Sequence, residues 1–155
     1  RHGISGHQAH ESIKEFNESA YIADLEPFAD SVEYVLKLAN HGFRFIVVTS
    51  ISDHRDAHVY RSMNLKGIFG DVFDEINCIK QGESKANILT RWMDTGYYWI
   101  EDHMRQAEAG HEAGLNTILI NHPYNIHYST DLFQKVSYET PWADIYNIIK
   151  LEYNL

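Results

Sequence analysis

Residues 97–120 read YYWIEDHMRQAEAGHEAGLNTILI. Two apolar runs, Tyr97–Ile100 and Thr117–Ile120, flank a mixed segment, Met104–Ala113, that closes at Gly114. Short runs rich in aromatic and β-branched residues suit strands buried on both faces, and a helix between two such runs suits the crossover of a parallel pair. Glycine is a common helix stop because it adopts the left-handed conformation without a Cβ clash. The stretch therefore predicts strand, helix, strand, with Glu101-Asp102 where the first strand gives way to the helix.

The same alternation extends outward. Upstream, Glu83–Met93 has Ile88, Leu89 and Trp92 at helical spacing, and Ile76–Ile79 is a short strand candidate. Phe43–Thr49, FRFIVVT, is an almost unbroken β-branched and aromatic run, followed by the polar loop Ser50–His54 and a helical segment near Arg55–Met63. Before it, a helix is expected from about Pro27 or Asp30 to Gly42, with Val32, Val35, Leu36 and Ala39 on one face. Arg1–Asn17 is polar, carries His2, His7 and His10, and reads as a loop leading into a short helix around Glu11–Glu18. Downstream, Asn121–Thr140 reads as polar loop and Pro141–Leu151 as a terminal helix. Strands alternating with helices predict an α/β domain with a parallel sheet running through Phe43–Thr49, Tyr97–Ile100 and Thr117–Ile120, with Ile76–Ile79 nearer an edge.

Composition narrows the function. The 155 residues carry 44% apolar and 23% charged side chains, enough for one domain with a sizeable core. A net charge of −9 argues against general nucleic-acid binding, because a phosphate backbone needs a cationic face. A small anionic substrate remains compatible, since one local cation can hold it. Cys78 is the single cysteine, so no intrachain disulfide forms, which points to a reducing, cytoplasmic compartment. No apolar run is long enough for a membrane span, so no membrane partner is expected.

In open α/β sheets ligands bind beyond the carboxyl ends of the strands. The residues found there are Thr49 and Ser50 after the first run, Glu101 and Asp102 after YYWI, and Asn121-His122-Pro123-Tyr124-Asn125 after TILI. Lys85 sits near the start of the helical segment that precedes YYWI. Hydroxyls, an ammonium and two carboxylates suit a phosphate and a magnesium ion. Magnesium takes hard oxygen ligands, commonly one or two carboxylates with substrate phosphate. Lysine and a hydroxyl neutralise the remaining phosphoryl oxygens.

These residues resemble three of the four motifs of the haloacid-dehalogenase-like (HAD-like) hydrolases. Thr49 in FIVVTS matches the hydroxyl motif, Lys85 in GESKANIL the lysine motif, and Glu101-Asp102 the acidic motif, with Ala113-Gly114 at the family's spacing. The resemblance covers roughly Leu25 to Asn125. LEPFADSVEYVLKLANHGFRFIVVTS and the NHPYN loop are most similar to the 5′-deoxyribonucleotidase-like branch. It implies a three-layer Rossmann-like parallel sheet with helices on both faces, and a magnesium-dependent phosphomonoester hydrolase acting on a small phosphorylated substrate. It assigns catalysis to Thr49 and Lys85, substrate binding to Thr49, Ser50, Lys85 and Asn125, and metal binding to Asp102 and Glu101.

The family's first motif, Asp-x-Asp, supplies the aspartate that becomes an aspartyl phosphate, and nothing before Thr49 matches it. Asp24-Leu25-Glu26 after AYIA is a poor candidate, because its strand would be short and mixed. Residues 1–24 are then read as a remnant of a cap or linker, and 25–155 as a core lacking its first strand, all within one domain. Where some relatives carry a further acid, four residues after Asp102, this chain has Gln106. The rival reading is a non-catalytic HAD-like binding or regulatory domain. Dehalogenation, which needs no magnesium, sits poorly with the acidic pair.

Plainer readings stand beside each of these. Thr49 can simply end a strand, Lys85 can be a solvated lysine, and Asp102 can cap the helix that follows. His54 and His58 have zinc-ligand spacing but no third ligand, and read as solvent-facing. Trp92, Trp99 and Trp142 read as packing residues. Tyr124 and Asn125 either line a substrate pocket or shape a turn.

Overall fold

Helix–strand alternation is what the chain adopts. The computed structural model describes residues 6–155; the loop expected at residues 1–5, with His2, lies outside the described residues. The elements in order are α1 (Gly6–Asn17), a 3₁₀ turn at Ala20–Asp24, α2 (Ser31–Asn40), β1 (Phe45–Ser50), α3 (Arg55–Phe69), β2 (Phe73–Ile79), α4 (Ala86–Leu89), a 3₁₀ turn at Thr90–Trp92, β3 (Tyr98–Glu101), α5 (Met104–Glu112), β4 (Asn116–Ile120), β5 (Gln134–Val136) and α6 (Pro141–Tyr153). All strand pairs are parallel: β1 with β2, β3 with β4, and β4 with β5. The fold is thus mixed α/β with parallel sheets. Among the described residues no helix is long and apolar enough to cross a membrane.

The single sheet expected from the sequence is instead two ladders, β1-β2 and β3-β4-β5. They belong to two compact units. One holds the described residues through Phe28 with Gly42–Glu83; the other holds Ala29–His41 with Ser84–Leu155.

In the first unit β1 has a ladder partner on one side only. This explains why its apolar run is half-buried rather than enclosed, with Val48 alone fully inside. The core around it is Ile22, Val48, Ala57, Leu65 and Val72. Asn64, buried on α3, donates to Ala23 O at 3.1 Å and Leu25 O at 2.8 Å, which ties the first 3₁₀ turn to the helix. Residues at the end of α1 are bound in as well. Asn17 donates to Ile51 O (2.9 Å), and Ser52 Oγ donates to Glu18 Oε1 (2.8 Å), so the segment read as a cap or linker remnant clamps the loop after β1. AYIA forms the 3₁₀ turn and not a strand.

In the second unit Leu89, Trp99, Ala107, Leu115, Ile118, Leu119, Val136, Ile145 and Ile149 make the core. Gly114 ends α5 at φ 71°, as its residue type predicts. The inward residues of α2 are Ser31, Val35 and Leu38, whereas Leu36, expected inside, is exposed. Asp30 caps a distant helix: its Oδ2 accepts the backbone N–H groups of Trp142 and Ala143, both at 2.9 Å, at the start of α6. A carboxylate there meets unpaired amides and the positive end of the helix dipole.

Candidate functional site

The second unit gathers four of the six candidate residues. Lys85 precedes α4, Glu101 ends β3, Asp102 follows it, and Asn125 lies in the loop after β4. Thr49 and Ser50 end β1 in the first unit. There Ser50 Oγ donates to Lys80 O at 3.0 Å, and half-buried Thr49 pairs in register with Cys78.

Glu101 is the hinge of the arrangement. Its side chain is 4% exposed, and Oε1 accepts a hydrogen bond from Lys85 Nζ, whose side chain is 12% exposed. Oε2 accepts the backbone N–H groups of Asp102 (3.0 Å) and His103 (3.2 Å). Both oxygens are therefore committed, and Glu101, expected as a metal ligand, holds the lysine and the turn into α5. A buried carboxylate survives only when paired and hydrogen-bonded in this way. Lys85 Nζ also lies 5.3 Å from the Trp99 ring centroid, a cation–π distance. Its backbone N–H donates to Gln106 Oε1 at 2.8 Å. Gln106 thus fixes the lysine's own backbone. An ammonium has three donors, so Glu101 leaves two for an anion.

Asp102 points elsewhere. The N-cap of α5 is His103, and no side-chain cap bond forms there, so the Asp102 carboxylate is not a helix cap. Its Oδ2 accepts the Tyr124 hydroxyl at 2.7 Å, and His122 Nε2 lies 3.7 Å from the same oxygen. Oδ1 accepts no hydrogen bond from the described residues, and the side chain is 49% exposed. Burial raises the Tyr124 hydroxyl pKa above the ordinary phenol range, and the bond to Asp102 adds to it.

Asn125, expected to contact substrate, is 1% exposed and fully used by the backbone. Its amide donates to Asp102 O (2.6 Å) and Ile120 O (2.9 Å), and its oxygen accepts from His122 N (2.7 Å). It knits the end of β3 to the loop after β4. The His122 ring stacks on Tyr124, with centroids 4.9 Å apart and 19° between planes, and meets Tyr138 at 4.4 Å. The sequence marks this loop only by its Asn-His-Pro-Tyr-Asn composition; the roles of Gln106 and His122 carry no local signal.

His54 and His58 are both exposed, as expected. His54 Nδ1 accepts from Asp56 N, and a ring nitrogen of His58 meets Ile76 O at 3.0 Å. Among the described residues no three His, Cys, Asp or Glu side chains come together as a metal cage. Magnesium, however, is commonly held by one or two carboxylates, with phosphate and water completing its shell. Asp102 Oδ1, on a half-exposed side chain and accepting no hydrogen bond from the described residues, is an oxygen of the type such a shell uses.

No family model matches the chain. It is similar to a protein of Enterobacteria phage T4 described as "Uncharacterized 32.4 kDa protein in Gp30-rIII intergenic region", with 29% identity over 79 residues. Those residues are 51% of this chain and 28% of the phage protein's length, so the chain spans well under half of that relative.

Proposed function

We propose that this chain is a HAD-like domain whose Lys85 and Asp102 face the phosphate and the metal of a magnesium-dependent phosphomonoester hydrolase. The observation that carries this reading is the junction of two motifs. Lys85 and Glu101, 16 residues apart in sequence, are in direct contact, and the adjoining Asp102 keeps an Oδ1 that accepts no hydrogen bond from the described residues. The three-layer Rossmann-like sheet belongs to the same reading. Its support is that every strand pair among the described residues is parallel and that helices alternate with the strands.

In this reading Asp102 Oδ1 and water hold the cation. When bound, magnesium neutralises charge on the phosphoryl oxygens. Lys85 Nζ, beyond its bond to Glu101, donates to non-bridging oxygens. Glu101 keeps the ammonium in position, and Asn125 keeps the Asp102 backbone in position. A small phosphorylated substrate, of the nucleotide type that the 5′-deoxyribonucleotidase-like resemblance implies, is the ligand class. Magnesium titrated calorimetrically into the chain is expected to bind the wild type and to bind Asp102→Asn at least tenfold more weakly, about 1.4 kcal/mol. Equal affinity in both would leave the carboxylate with no part in metal binding.

A second reading, a binding or regulatory domain without catalysis, is favoured by one observation. No described strand ends in Asp-x-Asp, and Asp24 of Asp24-Leu25-Glu26 ends a 3₁₀ turn. With para-nitrophenyl phosphate and saturating magnesium, the 155-residue chain is then expected to release no phosphate beyond a Lys85→Ala control. Release that Asp24→Asn abolishes would put the nucleophile at Asp24.

A further inference from the structure

We propose that the cavity at the amino ends of β3 and β4 is a binding site for a small organic cation, a primary ammonium carried on an apolar or aromatic body. It lies at the other end of these strands from Glu101 and Asp102 and does not depend on how those residues are read.

The cavity has a volume of about 420 Å³ and lies wholly within the second unit. That size falls in the range of small-molecule sites, about 300–1,000 Å³. Tyr98 opens β3 and Glu101 closes it, so roughly 10 Å of strand separates the two ends. The walls are the starts of β3 and β4, His111 in the last turn of α5, Leu132-Phe133 ahead of β5, and Ile148 and Glu152 of α6. Ile148 and Glu152 are four residues apart and so share one helix face.

The polar groups on these walls call for a cation. Glu152 supplies a carboxylate, and among the described residues no Lys or Arg lines the cavity. Glu152 sits in the last turn of α6, where the helix dipole already makes the potential negative, so its charge adds to that potential. Lys150 shares the turn but does not line the cavity. Glu152 Oε2 accepts the Tyr98 hydroxyl, and Oε1 accepts no hydrogen bond from the described residues. Asn116 donates from its amide nitrogen to Gly96 O at 2.8 Å, and its amide oxygen is a second acceptor. An ammonium brings three donors and no acceptor, the complement of that set.

The remaining walls call for an apolar body behind the charge. The His111 and Phe133 rings lie 6.1 Å apart at 56°, and Tyr98 adds a third ring to the lining. Ring faces attract an organic cation through their quadrupole. Leu132, 57% exposed, and Ile148 add alkyl surface that a bound apolar body would cover. An anion of the same size would meet a carboxylate and ring faces, and a bare metal ion would leave the apolar walls uncovered.

The probes are 2-phenylethylamine, its neutral counterpart 2-phenylethanol and the anion phenylacetate, each titrated into the 155-residue chain and followed by saturation-transfer difference NMR. At about pH 7.5 the amine is charged and a carboxylate is ionised. The wild type is expected to bind the amine with a dissociation constant on the order of 1 mM. It should bind the alcohol about fivefold more weakly, the scale of one exposed ion pair or cation–π contact, and phenylacetate no better than the alcohol. Glu152→Gln keeps an oxygen for Tyr98 and should bring the amine down to the alcohol's affinity. Phe133→Leu keeps apolar bulk without the ring and should weaken the amine about threefold. Asp102→Asn should bind the amine as the wild type does. The amine-to-alcohol ratio is read within each protein, so a variant with a reduced folded fraction still reports it. A wild type that binds none of the probes, that binds amine and alcohol equally, or that prefers phenylacetate overturns the proposal. So does a preference for the amine that survives Glu152→Gln, an amine affinity unchanged in Phe133→Leu, or a preference lost in Asp102→Asn, which would put the amine at the opposite strand ends.

Discussion

The contact between Lys85 and Glu101 can be tested by separating charge from shape. Glu101→Gln keeps the side chain's length and an oxygen for the Asp102 and His103 amides, but removes the charge that faces Lys85. Lys85, 12% exposed, then keeps an ammonium that faces the Trp99 ring without an opposing charge. Breaking a buried pair from one side costs about 3–5 kcal/mol, and the residual solvation of Lys85 sets the expectation at about 2–4 kcal/mol. Lys85→Met leaves Glu101 with two amide donors still in place, so it costs less, about 1–2 kcal/mol. The double variant leaves neither charge stranded. Its loss should fall short of the sum of the singles by about 2 kcal/mol, the coupling of two residues in direct contact. Urea unfolding followed by tryptophan fluorescence reads this directly, because Trp92, Trp99 and Trp142 all lie in the unit that holds the pair. A coupling below about 0.5 kcal/mol is what an exposed pair gives and would refute the reasoning.

Two further outcomes follow from packing and from titration. A Cβ at Gly110 would come within 2.1 Å of Trp99 Cδ1, and that ring is buried with its N–H on Gln106 O. Gly110→Ala should therefore lower the melting temperature by about 2–8 °C, overpacking outweighing the gain in helix propensity, with a shift in tryptophan emission; an unchanged melt would mean the ring moves freely. The Tyr98 hydroxyl pKa is raised above the ordinary phenol value, first by burial and then by its hydrogen bond to Glu152. Unfolded phenols release protons near pH ~10 while this one keeps its own, so its contribution to stability is present below pH ~10 and is lost as pH rises beyond it. Urea midpoints of wild type and Tyr98→Phe should converge between pH 8 and pH 11, and parallel curves would contradict the assignment.

The alternation of strands and helices was legible because apolar runs of four to seven residues, each bounded by glycine or polar residues, leave few other folds. What the sequence hid was set by partners far along the chain. β2 extends back to Phe73 because Phe45 and Ile46 of β1 pair with Phe73 and Glu75, although Asp74 and Glu75 make that part look like a loop. The helix expected over Glu83–Met93 breaks into α4 and a 3₁₀ turn. Thr90 Oγ1 donates to Asn87 O at 2.7 Å and competes with the helical ladder, and Thr95 does the same to Trp92 O. β5 is three residues inside a polar segment, too short for any periodicity, and it exists because β4 offers an edge. In the site, residue types were readable and partners were not. That Glu101 would be consumed by Lys85, and Asp102 engaged by Tyr124 22 residues on, depends on how β3, α4 and the loop after β4 meet. Asn125 reads from sequence as either lining a pocket or shaping a turn. Its burial beneath the loop turns it into a brace.

The central claim is that Lys85 and Asp102 form one phosphate-and-metal site. The ³¹P line width of orthophosphate, measured with the chain in the presence and absence of magnesium, tests it most directly. The account predicts magnesium-dependent broadening with the wild type. It predicts loss of the broadening in Lys85→Met and loss of its magnesium dependence in Asp102→Asn. Broadening that is equal with and without magnesium, or that survives in Lys85→Met, would contradict it.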